Sequence, residues 1–373
     1  MTGHATAPNA ADTTVTPVVP ATSRRWLTAG DGIDGLEVRD VETPRVGPGQ
    51  VLIRVEAVSL NYRDLLVVKG EEGWRPPEPV TPISDAAGTI EAVGAGVTRF
   101  AVGDRVSPMF LPHWRAGALS AETYRSPIGG PIAPGVLADF LVLDQHHVEA
   151  VPSSLDAAEA AALPIAALTA WHAVAVRCRV GRGDRVLVHG TGGVAMFALR
   201  FATALGARVA VTTSSSTKAV RLAGLGADHV VDYRSADVAD EVLRWTGGRG
   251  VDHVVETVGG ANLNQSLRAV RIGGSIAFIG LLAGLSAPIN TYELVTKNVE
   301  LHGIETGSAE MYRDMARFID AHSIKPVIDS VAPLADVRDA LHRLEKGDHF
   351  GKIVLVGEGV QSATTVTVRS STS

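Results

Sequence analysis

The segment VLVHGTGGVAMFALRFATALGA, residues 186–207, constrains the fold of this chain more than any other stretch. A short Val/Leu run reads as a buried strand, a glycine turn follows, and a helix starts near residue 193. Gly190, Gly192 and Ala195 satisfy G-x-G-x-x-A at that strand–helix junction. Gly190 suits a tight turn, Gly192 lets backbone approach a pyrophosphate, and Ala195 keeps the helix close to the strand. Gly193 and Val194 open a helix whose free N–H groups and partial positive charge attract phosphate. A glycine turn between a strand and a helix is also ordinary turn chemistry. The following alternation decides for a dinucleotide site. ARVAVTT, HVVDY, VDHVVETVG, GSIAFIG and VELHGI are short apolar strands separated by helices of about ten residues. Such strands suit a parallel sheet covered on both faces.

The second strand separates the two nicotinamide dinucleotides. An NAD site usually carries Asp or Glu about 20 residues after the glycines, bonded to the ribose hydroxyls. Here Val211, Thr212 and Thr213 occupy that place, and no carboxylate follows before Asp228. The hydroxyls of Thr213, Ser214 and Ser215, with Lys218 nearby, can receive a 2′-phosphate that a carboxylate would repel. NADPH is therefore the expected cofactor. The same Ser/Thr run also caps the next helix, which is compatible with phosphate binding. Tyr233, after the third strand, can flank the same phosphate.

The rest of the chain differs in texture. From Leu36 to Asp144 it reads as short strands and turns, with QVLIRVEAVSL (50–60) the clearest strand. Residues 113–136 are laced with Gly and Pro and read as an excursion over a cleft. Near residue 152 the pattern becomes helical, with Pro164 interrupting one helix or starting another. From about 322 one more helix and the strand GKIVLVG follow. The single cysteine, Cys178, excludes an intrachain disulfide framework and a cysteine-rich zinc knuckle. A net charge of −6 offers no attraction to nucleic acid or anionic lipid. No apolar run reaches the roughly 18 residues of a membrane span. Residues 1–22 and 359–373 are low in complexity and read as disordered tails. The SRRWL stretch (23–27) lacks the apolar segment of an export signal, so a cytoplasmic location is expected.

With SLNYRDLLVVKG, AAGTIEAVGAGVTRFAVGDRV, GVLADFLVL, ALPIAALTAWHAV, VLVHGTGGVA and HFGKIVLVG on the page, the chain resembles the medium-chain dehydrogenase/reductase superfamily over roughly residues 26–357. It is most similar to the zinc-free quinone oxidoreductase-like and enoyl reductase-like branches. The resemblance implies an α/β chain of two domains. A GroES-like β-barrel catalytic domain would comprise residues 23–151 and a returning segment, 322–358. A Rossmann domain would occupy 152–321, with substrate in the cleft between them. It also implies that the strand near VELHGI pairs across a homodimer.

Zinc-dependent relatives hold a catalytic metal with Cys, a His-Glu pair and a second Cys or Asp. The resemblance aligns those positions with Asn61, Ser84-Asp85 and Ile165, so no metal is expected. Without a Lewis acid, a quinone or an α,β-unsaturated carbonyl is an easier hydride acceptor than a simple ketone. Its negative charge spreads to a distant oxygen that a few donors can stabilise. Asn61 is the candidate amide donor to that oxygen, and Tyr62 a hydrogen-bond or proton donor. Asn61 capping the next turn and Tyr62 packing against the wall is the alternative. The resemblance further places Thr169 near the nicotinamide ribose and Val258, Phe278, Gly280 and Leu281 along the cofactor. It returns Phe350 and Lys352 to the cleft, where Lys352 contacts the cofactor or is simply solvated. Trp114 either shapes the substrate pocket or anchors its loop. The expected function is zinc-independent, NADPH-dependent hydride transfer to a small quinone or enone. A zinc-free carbonyl reductase or alcohol dehydrogenase and a non-catalytic NADPH-binding protein are the alternatives.

Overall fold

A computed structural model describes residues 19–358 of the chain. Of the two expected tails, residues 1–18 and 359–373 lie outside the described residues. Thr22 already opens the strand Thr22–Leu27, which pairs antiparallel with Glu37–Glu42.

Six parallel strands form one sheet. Their spatial order is His229–Asp232, Arg208–Thr213, Arg185–Val188, Val251–Glu256, Val270–Phe278 and Glu300–Gly303. This is the doubly wound order, in which the chain reverses direction between the first and fourth strands. The crevice therefore opens beyond the carboxyl ends of Arg185–Val188 and Val251–Glu256. Side chains alternate between two cores, as period-two geometry requires. Val186 and Val188 pack with Phe197 and Phe201. Leu187 packs on the other face with Val242 and Leu267. Both faces are covered, which is why these strands read as unbroken apolar runs.

The second sheet is built around Gln50–Ser59, which pairs antiparallel with Asp85–Val93 and Phe140–Asp144. The carboxyl-terminal strand Lys352–Val356 also pairs antiparallel with it, placing Val354 opposite Ser59 and Leu355 opposite Val58. Ile328–Pro333 then adds on in parallel. The last part of the chain thus completes the sheet begun by its first part and carries Lys352 to the cleft.

The helical stretch after residue 152 joins the two sheets. Asp156 and Glu159 cap its start reciprocally, each carboxylate accepting from the other's backbone N–H. The helix Ala157–Ala161 is short. Widened turns at Leu163–Ala167 and His172–Arg177 flank the regular Leu168–Trp171. Pro164 has no N–H to donate to the preceding turn, so the ladder slips there. Among the described residues, no helix is long and apolar enough to cross a membrane.

Candidate active site

The glycine turn stands where the sequence places it. Gly190 has φ 79°, and its N–H donates to Thr212 Oγ1 at 2.9 Å. A Cβ on Gly192 would meet nothing within 4 Å, so its backbone faces open space. A Cβ on Gly193 would stand 2.5 Å from Lys352 Cδ. Ala195 is buried beneath the turn. The helix Gly193–Ala204 starts here and points its amino end into a cleft of about 930 Å³ between the two sheets.

Beyond the end of the second strand the cleft is lined by Thr213, Ser214, Lys218 and Tyr233. Ser215 is not on the wall, because its hydroxyl caps the helix Ser216–Gly224 by accepting from Lys218 N–H at 3.3 Å. Lys218 Nζ donates to the His349 carbonyl at 2.9 Å, so the returning segment folds over this end. Phe350 is buried with the Arg221 guanidinium 3.9 Å from its ring centroid. Arg221, one helical turn after Lys218, is held on this ring and is not among the residues lining the cleft. Asp228 lies at the other end of the second strand, accepting from Val209 N–H and Arg208. No carboxylate of residues 208–228 therefore lines the cleft.

The cleft wall beyond the strand Val251–Glu256 is shaped by Glu256, which sequence reasoning missed. Its buried carboxylate accepts from the Val258 and Gly259 N–H groups, from Asn262 Nδ2 and from Ser266 Oγ. His189 Nε2 bonds the same Ser266 hydroxyl at 3.0 Å, and burial lowers its imidazole pKa against the pull of Glu256. These bonds fix the loop that presents Val258. Its glycines interlock with the next loop: a Cβ on Gly259 would lie 2.0 Å from the Gly280 carbonyl oxygen. Gly280 and Leu281 join Val258 on the cleft wall, whereas Phe278 ends its strand behind them. Thr169 lines the cleft from the helical joint.

On the barrel side, Asn61 stands two residues past the strand Gln50–Ser59 and caps the helix Tyr62–Lys69. Asp64 accepts from the Asn61 backbone N–H at 2.9 Å. Asn61 Nδ2 donates to Asp85 Oδ2 at 2.8 Å, and Lys352 Nζ donates to Asn61 Oδ1 at 2.6 Å. Both polar ends of the Asn61 amide are therefore engaged within the protein. Lys352 Nζ also donates to the Leu60 carbonyl at 2.6 Å and stands 3.8 Å from Asp85 Oδ2. Burial pushes the Asp85 carboxyl up to about 7 and pulls the Lys352 ammonium below its ordinary value. Tyr62 is 44% exposed at the cleft mouth.

The outer chamber is lined by Trp74, Phe110, Tyr124 and Ile132. The Arg63 guanidinium lies 5.3 Å from the Trp74 ring centre and 5.0 Å from that of Phe110, and pairs with Asp64 and Ser84. The 113–136 excursion contributes Tyr124 to this chamber. Trp114 does not line it: the ring is buried, and its Nε1 anchors the loop through the Gly117 carbonyl. Glu305 was also missed. Its carboxyl faces the cleft, and burial raises its pKa.

Asn61, Asp85 and Ile165 do converge: Ile165 N–H points to Asp85 Oδ2 at 3.4 Å. They offer one carboxylate, one amide oxygen and an aliphatic side chain, with an ammonium already seated among them. Tetrahedral zinc calls for thiolate or imidazole ligands, so this donor set does not match it. Among the described residues, no group of three or more His, Cys, Asp and Glu gathers in a way that could hold a metal ion.

Glycine turn, doubly wound sheet and interdomain cleft define a two-domain protein with a nucleotide-binding fold. The "Alcohol dehydrogenase GroES-like domain" family matches residues 47–153, and the "Zinc-binding dehydrogenase" family matches 193–321. The chain belongs to the medium-chain dehydrogenase/reductase superfamily. It is 38% identical to a zinc-type alcohol dehydrogenase-like protein of Schizosaccharomyces pombe, over 87% of this chain and 96% of that one. It is 29% identical to a quinone oxidoreductase of Pongo abelii, over 85% and 92%. A crystal structure of a putative alcohol dehydrogenase from Sinorhizobium meliloti superposes with TM-score 0.86 at 40% identity, covering 91% of this chain and all of that one. Membership brings a nicotinamide cofactor and a small-molecule substrate.

Proposed function

We propose that the chain is a zinc-independent, NADPH-dependent oxidoreductase that reduces a quinone or an α,β-unsaturated carbonyl. The observation that carries the reading is the Lys352 ammonium seated 2.6 Å from Asn61 Oδ1, beside Asp85, where a metal would otherwise act. A fixed cation and no soft ligand suit an acceptor that delocalises its own charge. The NADPH preference is supported by Thr213, Ser214 and Lys218 at the end of the second strand and by the remoteness of Asp228. Bound NADPH would supply the hydride. The glycine turn and helix Gly193–Ala204 would hold its pyrophosphate, while Val258 and Gly280 would line its nicotinamide end. Tyr124, with Trp74 and Phe110 stacked around Arg63, would line the chamber of a planar acceptor and keep water away. A homodimer is supported by the edge strand Glu300–Gly303, which pairs on one side within the chain, and by exposed Tyr292, Val295 and Leu301 near it.

The test is NADPH consumption by chelator-treated protein with a quinone, an enone and the saturated ketone of the same skeleton, with products identified. Reduction of the quinone or enone and sparing of the ketone is the expected result. Reduction of the ketone to an alcohol, with the alkene intact, overturns it. Loss of activity on chelation that zinc restores removes the zinc-independent part.

A further inference from the structure

We infer that Lys352 is the catalytic cation of this cleft, taking up the negative charge that forms on the acceptor oxygen, and that Asn61 and Asp85 are its positioning residues. The inference deepens the proposed function and rests on it for the identity of the acceptor.

The placement of Lys352 is over-determined. The Gly351 N–H donates to the Thr191 carbonyl at 2.9 Å, which pins the returning segment to the nucleotide turn. The Lys352 stem then crosses Gly193, where any side chain would collide with it. It ends with its ammonium just past the strand Gln50–Ser59, with which its own strand pairs, held by the Leu60 carbonyl and by Asn61 Oδ1. An ammonium has three donors. Two are spent, and among the described residues no acceptor lies within hydrogen-bond distance of the third. Asp85 Oδ2, at 3.8 Å, attracts the charge without binding it. Asp85 Oδ1 is itself buried without a partner. One cation with a spare N–H therefore stands between the nucleotide turn and the aromatic chamber, at 3% exposure.

When the acceptor is reduced, the hydride's electron pair forms the new C–H bond and a displaced π pair moves onto oxygen, leaving one unit of negative charge there. Lys352 meets that charge with its third N–H. If the proton transfers, the N–H bond breaks, an O–H bond forms, and the neutral amine regains a proton from water. Burial favours this transfer by lowering the affinity of Lys352 for its proton, and Asp85 opposes it. Asp85 and Asp64 from the barrel, and His349 from its own segment, are the titratable groups that face the ammonium.

The test reads charge without turnover. 4-Nitrophenol is bound with NADP⁺ present, and its ionisation is followed by absorbance. In the wild type the bound phenol should ionise at lower pH than in water, and in Lys352→Met the shift should vanish. Lys352→Arg keeps the charge and should retain part of it. NADPH affinity, read by fluorescence, should stay within about threefold in all three, which also reports folding. With an enone that the wild type reduces, Lys352→Met should lose roughly 100-fold in kcat, the scale of one lost oxyanion contact. Asp85→Asn should move the alkaline limb of the kcat profile down by about one pH unit. No bound phenolate in the wild type, or the same ionisation midpoint in Lys352→Met, overturns the inference. So does a Lys352→Met enzyme with unchanged kcat and weakened NADPH binding, which makes the residue a cofactor contact. Reduction of the ketone instead of the enone overturns the proposed function but leaves the phenol shift intact.

Discussion

Asp85→Asn should change how the stability of the protein depends on pH. Asp85 is fully buried, and its carboxyl, at about 7 in the folded chain, titrates far above its ordinary value of 3.8 because burial disfavours the charged form. The folded state therefore holds this proton more tightly than the unfolded state. The stability that Asp85 contributes is complete below pH 3.8 and is lost as pH rises through about 7. At about 1.4 kcal/mol per pH unit, the whole loss is about 4 kcal/mol. About 3 kcal/mol of it falls between pH 5 and pH 8. Asparagine matches the shape of aspartate and can accept from the Asn61 amide, but it does not titrate. Urea unfolding of wild type and Asp85→Asn at pH 5 and pH 8 measures the effect. The difference in unfolding free energy between the two should move by about 3 kcal/mol in favour of the variant on going to pH 8. All other titrating groups except Lys352 largely cancel in that comparison. Parallel pH profiles would refute the reasoning, because they would mean that Asp85 ionises freely in the fold.

Three other outcomes are expected. Lys218→Ala should raise the Kd for NADPH roughly 10- to 100-fold, the scale of one charge-assisted phosphate contact, and leave that for NADH within about twofold; equal losses for both would show that Lys218 does not read the 2′-phosphate. Gly259→Ala should cost about 2–4 kcal/mol by calorimetry and weaken NADPH binding, since its φ of 78° and the Gly280 carbonyl leave no room for a methyl group; an unchanged melting curve would show that the two loops separate easily. Leu301→Arg, on the edge strand Glu300–Gly303, should convert a dimer to a monomer in sedimentation velocity, and an unaltered oligomer would place the interface elsewhere.

The nucleotide half was legible because its signals are local. A buried strand, a turn with a required positive φ at Gly190 and a helix start are neighbours in the chain, and their spacing carries the chemistry. The alternation of Val186 and Val188 with Leu187 between two cores is likewise written in consecutive residues. The hydroxyl-rich end of the second strand could be read the same way, although only the structure shows that Ser215 is spent on capping while Ser214 faces the cleft.

What the tertiary structure decided depends on residues far apart in the chain. Glu256 draws its donors from the ten residues that follow it, but that they fold back around a buried carboxylate, with His189 arriving from the glycine turn to bond Ser266, is set by the fold. Asn61, read from its neighbours, looked like a free donor for substrate. In the fold, Asp85 takes its amide N–H, and Lys352, nearly the whole chain away, takes its oxygen. That contact exists because Lys352–Val356 pairs with Gln50–Ser59, and strand pairing at such separation leaves no trace in local composition. The sequence alone determined a dinucleotide-binding sheet and a second, strand-rich unit. The seat of the buried Lys352 ammonium, and with it the chemistry proposed for the cleft, followed from a long-range sheet register in which a one-residue slip would turn Lys352 away.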